Sequence, residues 1–370
     1  MGKICILLPT HWDAGKGGAE YQADQLAQYI CHVTKHQVIY LARNIDDSSE
    51  AGSYEVYKIP RLFQAEKFGL FWDSVALYKK LVDINPDIVW QHVGCAYTGV
   101  SAYYCKKKHK SLIWHIASDV NVERKRFSFS PKKIPIFIDN LFLSYGIKNA
   151  TRVIAQTKYQ SEIFRKNYGR TVDAIISNFH SVPRVSFHKT ERFTVLWVAN
   201  FKKLKQPEIF LKLANDCTIY DNVIFKMIGR KEKSEWCDSL IQQIESIDNL
   251  EYLGEMELEE VNSELEKAHI LVNTSEYEGF PNTFIQAWMR EVLTLSLNVD
   301  PDGVITKNEI GLFAGNYKNM KNYIIHMSEN QYELARIGKH ARQFAEENFS
   351  MKNADEVIEV IEEELNKVSV

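Results

Sequence analysis

The sequence predicts an α/β chain folded as two doubly wound parallel-sheet domains, and three observations predict it. Short β-rich apolar runs alternate with helix-like segments from one end to the other, the pattern of parallel sheets covered by helices on both faces. The alternation restarts once, after the polar stretch "SVPRVSFHKTERF", which carries Pro183 and no helical or strand period. At 370 residues, the chain also exceeds what one hydrophobic core usually supports.

Taken in order, the first half offers the strands "KICILLP", "HQVIYLA", "YEVYKIP", "PDIVWQHV", "SLIWHIAS", "TRVIAQT" and "DAIISNF". The second half offers "FTVLWVAN", "VIFKMIGR", "LEYLGE", "AHILVNTS", "TLSLNV" and "IGLFAG". A linker falls near residues 181–192. Ligands of such sheets bind outside the carboxyl ends of the strands, so the cleft between the domains is the expected site.

Composition narrows the class. Apolar content of 45% and charge of 25% are ordinary for a folded protein. The early run "ICILLP" is far shorter than the ~20 residues that span a bilayer, and His11, Trp12 and Asp13 stand where a cleavage site would fall, so it reads as a strand. Six cysteines without a C-x-x-C pair suit a reducing compartment and argue against a zinc site; a cytoplasmic protein is expected. Charge is uneven: residues 1–184 hold 25 Lys and Arg against 16 Asp and Glu, the remainder 20 against 32, a split of +9 and −12. A basic half attracts anionic surfaces or substrates; equally, the acidic half can be a solvated face.

Four stretches can carry chemistry. "DAGKGGAEYQADQLAQYI" puts Gly15, Gly17 and Gly18 before a helix starting near Ala19, where backbone amides approach an anion closely; it is neither a dinucleotide fingerprint nor a Walker loop. "WVANFKKLKQPEIFLKLA" puts Lys202, Lys203 and Lys205 just before Pro207, which fits a first helical position; the lysines serve either an anion or a solvated loop. "TSEYEGFPNTFIQAWMREV" sets Glu278 in a loop, Pro281 at a helix start, and Asn282, Gln286 and Arg290 at helical spacing as one polar stripe. Phe284, Ile285, Trp288 and Met289 form the opposite, buried face. In "LIWHIASDVNVERKRF", His115 ends a buried strand at the edge where ligands bind, although a lone histidine there is more often a satisfied core residue.

With these pieces in this order, the chain resembles the retaining glycosyltransferases of family 4, which have the GT-B architecture of two facing doubly wound, Rossmann-like domains. The carriers are "GKGGAEYQADQLA", "VIAQTKYQSEIFRKNYG", "ISNFHSVP", "LWVANFKKLKQPEIFLKLA", "YLGEMELEEVNSELEKAHILVNTSEYEGFPNTFIQAW", "LNVDPDGVI" and "FAEENFSMKNADEVIEVIEEEL". The resemblance implies an acceptor-binding domain over 1–185 and a nucleotide-sugar-binding domain over 190–350, with a helix at about 350–370 packing back toward the first. It implies that Glu278, His115 and Lys205 are catalytic: Glu278 as the first acid of the family's E-x(7)-E motif on the donor sugar, Lys205 on the diphosphate, His115 beside the sugar. It also implies donor contacts from Gly17, Gly18, Asn200, Arg230, Gly279, Phe280, Pro281, Asn282 and Gln286.

Three departures stand out. The motif's second acid, usually on the ribose, is Gln286, which accepts hydrogen bonds without charge assistance, a loss of roughly 1–2 kcal/mol. Asn200 replaces an arginine of the second phosphate loop, leaving Lys202 or Lys203 as substitutes. Glu291 and Leu293 replace the Gly and Pro of the "RGVP" turn, which bears on the loop's shape. No D-x-D stands at a strand end, so no metal and no cofactor is expected. The implied partners are a nucleotide-sugar donor and a saccharide or lipid-linked acceptor; no nucleic acid is implied. An anionic membrane surface is a further expectation, from Lys125, Arg126, Lys132 and Lys133 interleaved with Phe127, Phe129, Ile136, Phe137 and Phe142. The competing readings are a donor-binding protein that has lost transfer, motivated by Gln286, Asn200 and Glu291, and a nucleotide-sugar epimerase.

Overall fold

The computed structural model describes residues 1–45, 52–61, 70–123, 134–184 and 187–368. All thirteen strands read from the sequence are present. They are β1 (Lys3–Leu7), β2 (Gln37–Ala42), β3 (Glu55–Lys58), β4 (Ile88–Gln91), β5 (Ser111–His115), β6 (Arg152–Ala155), β7 (Ala174–Ile175), β8 (Phe193–Val198), β9 (Val223–Ile228), β10 (Leu250–Tyr252), β11 (Ile270–Asn273), β12 (Leu293–Ser296) and β13 (Gly311–Phe313). The helices between them are α1 (Gly18–Val33), α2 (Ser74–Ile84), α3 (Ala96–Lys108), α4 (Ile134–Asn149), α5 (Lys158–Tyr168), α6 (Pro207–Asp216), α7 (Glu235–Glu245), α8 (Leu258–Lys267), α9 (Asn282–Trp288), α10 (Val304–Asn308), α11 (Tyr317–Glu329), α12 (Gln331–Asn348) and α13 (Lys352–Val368).

Internal contacts divide the chain into one unit of Met1–Phe179 with Met351–Val370, and a second of His180–Ser350. In the first, seven strands order β3-β2-β1-β4-β5-β6-β7; in the second, six order β10-β9-β8-β11-β12-β13, and every pairing is parallel. Parallel strands are buried on both faces, hence their nearly unbroken apolar runs. Alternation then splits each strand between two cores: Cys5 and Leu7 face one, Ile4 and Ile6 the other; Val195 and Trp197 face one, Leu196 the other.

The last helix belongs to the first unit. Ala354, Val357, Ile361 and Leu365 of α13 pack with Ile4, Ile6, Leu26 and Ile30. Its buried Glu364 accepts hydrogen bonds from Arg152 Nε (2.8 Å) and Ser111 Oγ (2.9 Å) at the entry ends of β6 and β5.

Each sheet reverses its winding direction once, between β1 and β4 in the first and between β8 and β11 in the second. At such a switch point the loops leaving the two neighbouring strands part and open a crevice at the carboxyl edge. The sequence places its lysine loop after β8, its Glu278 loop after β11 and its Gly-rich loop after β1.

Candidate active site

In the second unit the two switch-point loops are tied together. After β8 the chain makes a single 3-10 turn over Lys203–Lys205, then passes through Gln206 in the left-handed region (φ 47°) and enters α6 with Pro207 as its first residue, as the sequence predicts. A non-glycine residue there stores strain of about 1 kcal/mol or more, tolerated because the surroundings fix it. Trp197 Nε1 donates to Thr274 Oγ1 (3.0 Å), Thr274 Oγ1 donates to the Lys205 carbonyl (2.6 Å), and Glu276 N donates to the Leu204 carbonyl (2.9 Å).

That scaffold aims Lys205 at Glu278. Their Nζ and Oε2 atoms are 2.7 Å apart, and the side chains are 22% and 16% exposed. Glu278 Oε1 accepts from Asn273 Nδ2 (2.8 Å) and Ser275 Oγ (2.5 Å), and Asn273 Oδ1 accepts from Ser275 N (3.1 Å). The carboxylate therefore cannot swing without giving up three partners. The ammonium has three donors, so it can keep Glu278 and still meet an incoming anion.

The following segment departs from expectation in three ways. Pro281 is the N-cap of α9 rather than its first residue, because its ψ of 120° is still extended. The helix has only seven residues and ends at Trp288, so Arg290 is not on it; the expected polar stripe is Asn282 and Gln286, with Arg290 Nη1 donating back to the Gln286 carbonyl at 3.3 Å. Gln286 and Arg290 are also buried rather than solvated. Phe280, expected among donor contacts through the backbone of its turn, keeps its ring in the core, 4.8 Å from Phe349 and 6.3 Å from Trp288 between centroids. What this offers a ligand is the backbone of the Gly279–Pro281 turn, held by that ring.

Asn282 Oδ1 accepts from His180 Nε2 at 2.9 Å, and burial pushes the His180 pKa down to about 4, so the ring is neutral near neutrality. Asn200 Oδ1 accepts from Arg230 N at 3.1 Å, joining the loops after β8 and β9. Gly229 makes that junction possible: its φ is 151°, and a Cβ there would lie 1.8 Å from the Ala199 carbonyl oxygen. Glu291 answers the question its sequence raised. It adopts φ 56°, the left-handed conformation a glycine takes easily, and its carboxylate pairs with Arg342 Nη1 at 3.4 Å, so the turn keeps its shape without glycine.

In the first unit, Gly17 caps α1, which begins at Gly18, and Gly17 N donates to the Gly15 carbonyl at 3.0 Å. A Cβ on Gly17 would lie 2.2 Å from Glu20 Oε2, so the chain's own carboxylate lies against this helix start. His115 does end β5 at the carboxyl edge, but its ring is 1% exposed. Its Nε2 is 3.0 Å from the Ile176 carbonyl and so carries the proton, Nδ1 is a buried lone pair without a partner, and burial holds the pKa down to about 4. A neutral ring with that tautomer accepts a hydrogen bond and does not act as a general acid. His92, just after β4 at the switch point, lies 4.8 Å from His115 between ring centroids; its Nε2 is 3.4 Å from Gln156 Nε2, which donates to Asn178 Oδ1 at 2.6 Å.

Sequence reasoning missed Asn273, Thr274, Ser275 and His92. The signal was present: "NTS" and "QH" are polar residues closing buried apolar strands, at the edge where ligands bind.

Among the described residues, no cluster of three or more His, Cys, Asp or Glu stands close enough to hold a metal ion. Residues 16–182 match the profile of Glycosyltransferase Family 4, and residues 179–344 that of Glycosyl transferases group 1. The chain belongs to the glycosyltransferases of this family. This glycosyltransferase superposes on HepE of Anabaena, solved with UDP and glucose, with a TM-score of 0.77 at 15% identity, over 98% of this chain and 100% of that one. It superposes on sucrose-phosphate synthase of Thermosynechococcus elongatus with a TM-score of 0.80 at 13% identity, over 98% and 99%. It is similar also to WaaG, a glycosyltransferase involved in lipopolysaccharide biosynthesis, with a TM-score of 0.78 at 11% identity, over 97% and 99%. Comparison with curated proteins finds no match. At these identities the likeness is one of fold, and the fold is the GT-B architecture.

Proposed function

We propose that this glycosyltransferase moves a sugar, with retention of anomeric configuration, from a nucleotide-diphosphate sugar to a saccharide or lipid-linked saccharide acceptor in cell-envelope glycan synthesis. The observation that carries the reading is the Lys205–Glu278 pair at the second sheet's switch point, its carboxylate fixed by Asn273 and Ser275. HepE supports it by holding UDP and glucose, and WaaG by its place in lipopolysaccharide biosynthesis.

In this mechanism the work is to stabilise charge that develops on the leaving diphosphate. Lys205 meets that charge, together with backbone amides of the Gly279–Pro281 turn, and no metal takes part. Glu278 orients the donor sugar while keeping Lys205 in place. The acceptor attacks the face the diphosphate leaves, and a departing phosphate oxygen takes its proton. His115, held by the Ile176 carbonyl and beside His92, lends a hydrogen-bond acceptor and no proton.

A donor screen tests this. The protein is incubated with UDP-, GDP-, ADP- and dTDP-sugars, with and without a chelator, and both binding and slow hydrolysis are followed. One donor bound and slowly hydrolysed in chelator is the expected result. Binding without hydrolysis, persisting with acceptors present, would overturn transfer in favour of a protein that only binds its nucleotide sugar.

A further inference from the structure

The turn that closes α9 keeps its shape without glycine or proline. Glu291 stands at φ 56°, and such a conformation persists in a non-glycine residue only when its surroundings fix it. Three neighbours distant in sequence do so. Lys189 Nζ donates to the Arg290 carbonyl at 3.0 Å, and Arg342 Nη1 lies 3.4 Å from Glu291 Oε1. Helix α12 approaches so closely that a Cβ on Gly338 would meet the Glu291 carbonyl oxygen at 2.4 Å.

Lys189 comes from the stretch that the sequence presents as a linker, yet within the second unit that stretch is not slack. Thr190 N donates to the Lys267 carbonyl at 3.1 Å, and Thr190 Oγ1 lies 2.7 Å from Thr194 Oγ1. Arg342 Nη2 donates to the Pro183 carbonyl at 3.2 Å. The Phe187 ring is shared by two cations, with the Arg342 guanidinium 5.0 Å and Lys189 Nζ 6.0 Å from its centroid. A lysine tied down in this way has lost the freedom of a surface side chain.

Its charge is balanced finely. Glu291 and Glu266 attract the ammonium, Arg290 opposes it, and the neighbouring His269 ring is kept neutral by burial and by the lysine itself. Burial outweighs the two carboxylates and holds the Lys189 pKa down to about 8. The ammonium is therefore present at neutrality and lost in mildly alkaline solution.

The carbonyl it holds leads into the candidate site. Arg290 Nη1 donates to the Gln286 carbonyl at 3.3 Å, and its Nε lies 3.5 Å from Glu266 Oε1. Helix α9 has only seven residues between the Pro281 cap and this turn, about 10 Å of length. So short a helix makes few hydrogen bonds of its own, and a shift at its last turn reaches Asn282 at its first.

We propose that Lys189 is a positioning residue for the donor site: its ammonium, seated on the Arg290 carbonyl, holds the α9 turn where Asn282 and the Gly279–Pro281 backbone meet the nucleotide. The inference deepens the donor-binding reading and rests on it for what α9 holds. Without the charge, the Arg290 carbonyl keeps only the weaker hydrogen bond of a neutral amine, and Glu291 and Glu266 lose a cation. The sign of the pH effect separates this role from a purely stabilising one. Between pH 8 and the ordinary lysine value of about 10.4, the unfolded chain binds a proton that the folded chain has released, so this titration by itself raises stability. A site that loosens there does not loosen because the fold is failing.

The test uses the full chain as wild type, Lys189→Arg, which keeps its charge throughout, and Lys189→Met. Each is titrated by calorimetry with UDP, GDP, ADP and dTDP at pH 7 and pH 9. Wild-type affinity for the diphosphate that binds is expected to fall about fivefold between the two, Lys189→Arg to stay flat, and Lys189→Met to be weak at both. No fall, or a fall that persists in Lys189→Arg, overturns the proposal. Amide exchange without nucleotide decides independently: protection of Met289–Val292, corrected for intrinsic rates, should drop above pH 8 in the wild type and not in Lys189→Arg. Unchanged protection overturns the proposal, whereas the expected exchange with no binding of any diphosphate counts against the donor reading alone.

Discussion

At the scale of single residues, the site works because Lys205 and Glu278 are each held by groups other than the other. Removing the ammonium leaves Glu278 with Asn273 and Ser275, so the loop should persist while the leaving diphosphate loses its cation. Lys205→Ala is therefore expected to lower kcat by about 10²–10³ with a thermal midpoint close to that of the wild type. An unchanged rate would remove Lys205 from the mechanism. Gln286 makes the opposite case, a position where charge is missing. Restoring it with Gln286→Glu should tighten donor binding by about 5- to 30-fold, the equivalent of 1–2 kcal/mol, read by calorimetry. If binding weakens instead, the side chain faces something other than the ribose, such as the buried surroundings it shares with Arg290.

At the scale of elements, short loops are fixed by features that hold no ligand. Gly229→Ala would need a Cβ where the Ala199 oxygen already is, at a φ that L residues rarely adopt. A loss of about 3 kcal/mol is expected, with donor affinity falling as the loops of Asn200 and Arg230 part; denaturant midpoints and titration of the donor check both. Phe280 anchors the Glu278 loop from below, and Phe280→Ala should cost about 3–5 kcal/mol by leaving a cavity against Trp288 and Phe349.

The elements themselves were legible because parallel strands, buried on both faces, write themselves as apolar runs that punctuation separates. The lysine loop, its Pro207 helix start and the acidic loop were legible for a similar reason: proline and glycine mark turns whatever the tertiary context. What the sequence could not show was where helical spacing stops being a helix. Arg290 keeps perfect i+4 spacing from Gln286, yet Met289 closes α9 and the chain turns through Glu291 at φ 56°. Nor does spacing reveal burial of a polar face, which depends on Glu266 and Lys189 arriving from elsewhere: Lys189 Nζ donates to the Arg290 carbonyl at 3.0 Å. Of the stretch that suggested the membrane, Lys125–Lys133 lie outside the described residues, whereas Ile136, Phe137 and Phe142 lie on α4.

At the scale of the whole molecule, buried histidines set an acid limit on stability. His115, His180 and His269 are pushed down to about 4 by burial, and His92 lies well below its ordinary range for the same reason. The fold holds these rings neutral, while the unfolded chain protonates them near 6.5. Below that value the unfolded state binds more protons, so stability is full above about pH 6.5 and is lost as pH falls toward 4. Urea midpoints should accordingly be lower at pH 5 than at pH 7.5, and a flat profile across that window would contradict the burial of these rings.

The return of α13 to the first unit also orders events in time. During synthesis all of the second unit, His180–Ser350, leaves the ribosome before the helix that covers Ile4, Ile6 and Leu26 exists. The half of the protein made first is thus completed last, and until then the part of that apolar sheet face that α1 does not cover stands open to water. A chain ended at Ser350 is expected to keep a folded second unit with its donor affinity, while the first unit exchanges its amide protons freely and aggregates.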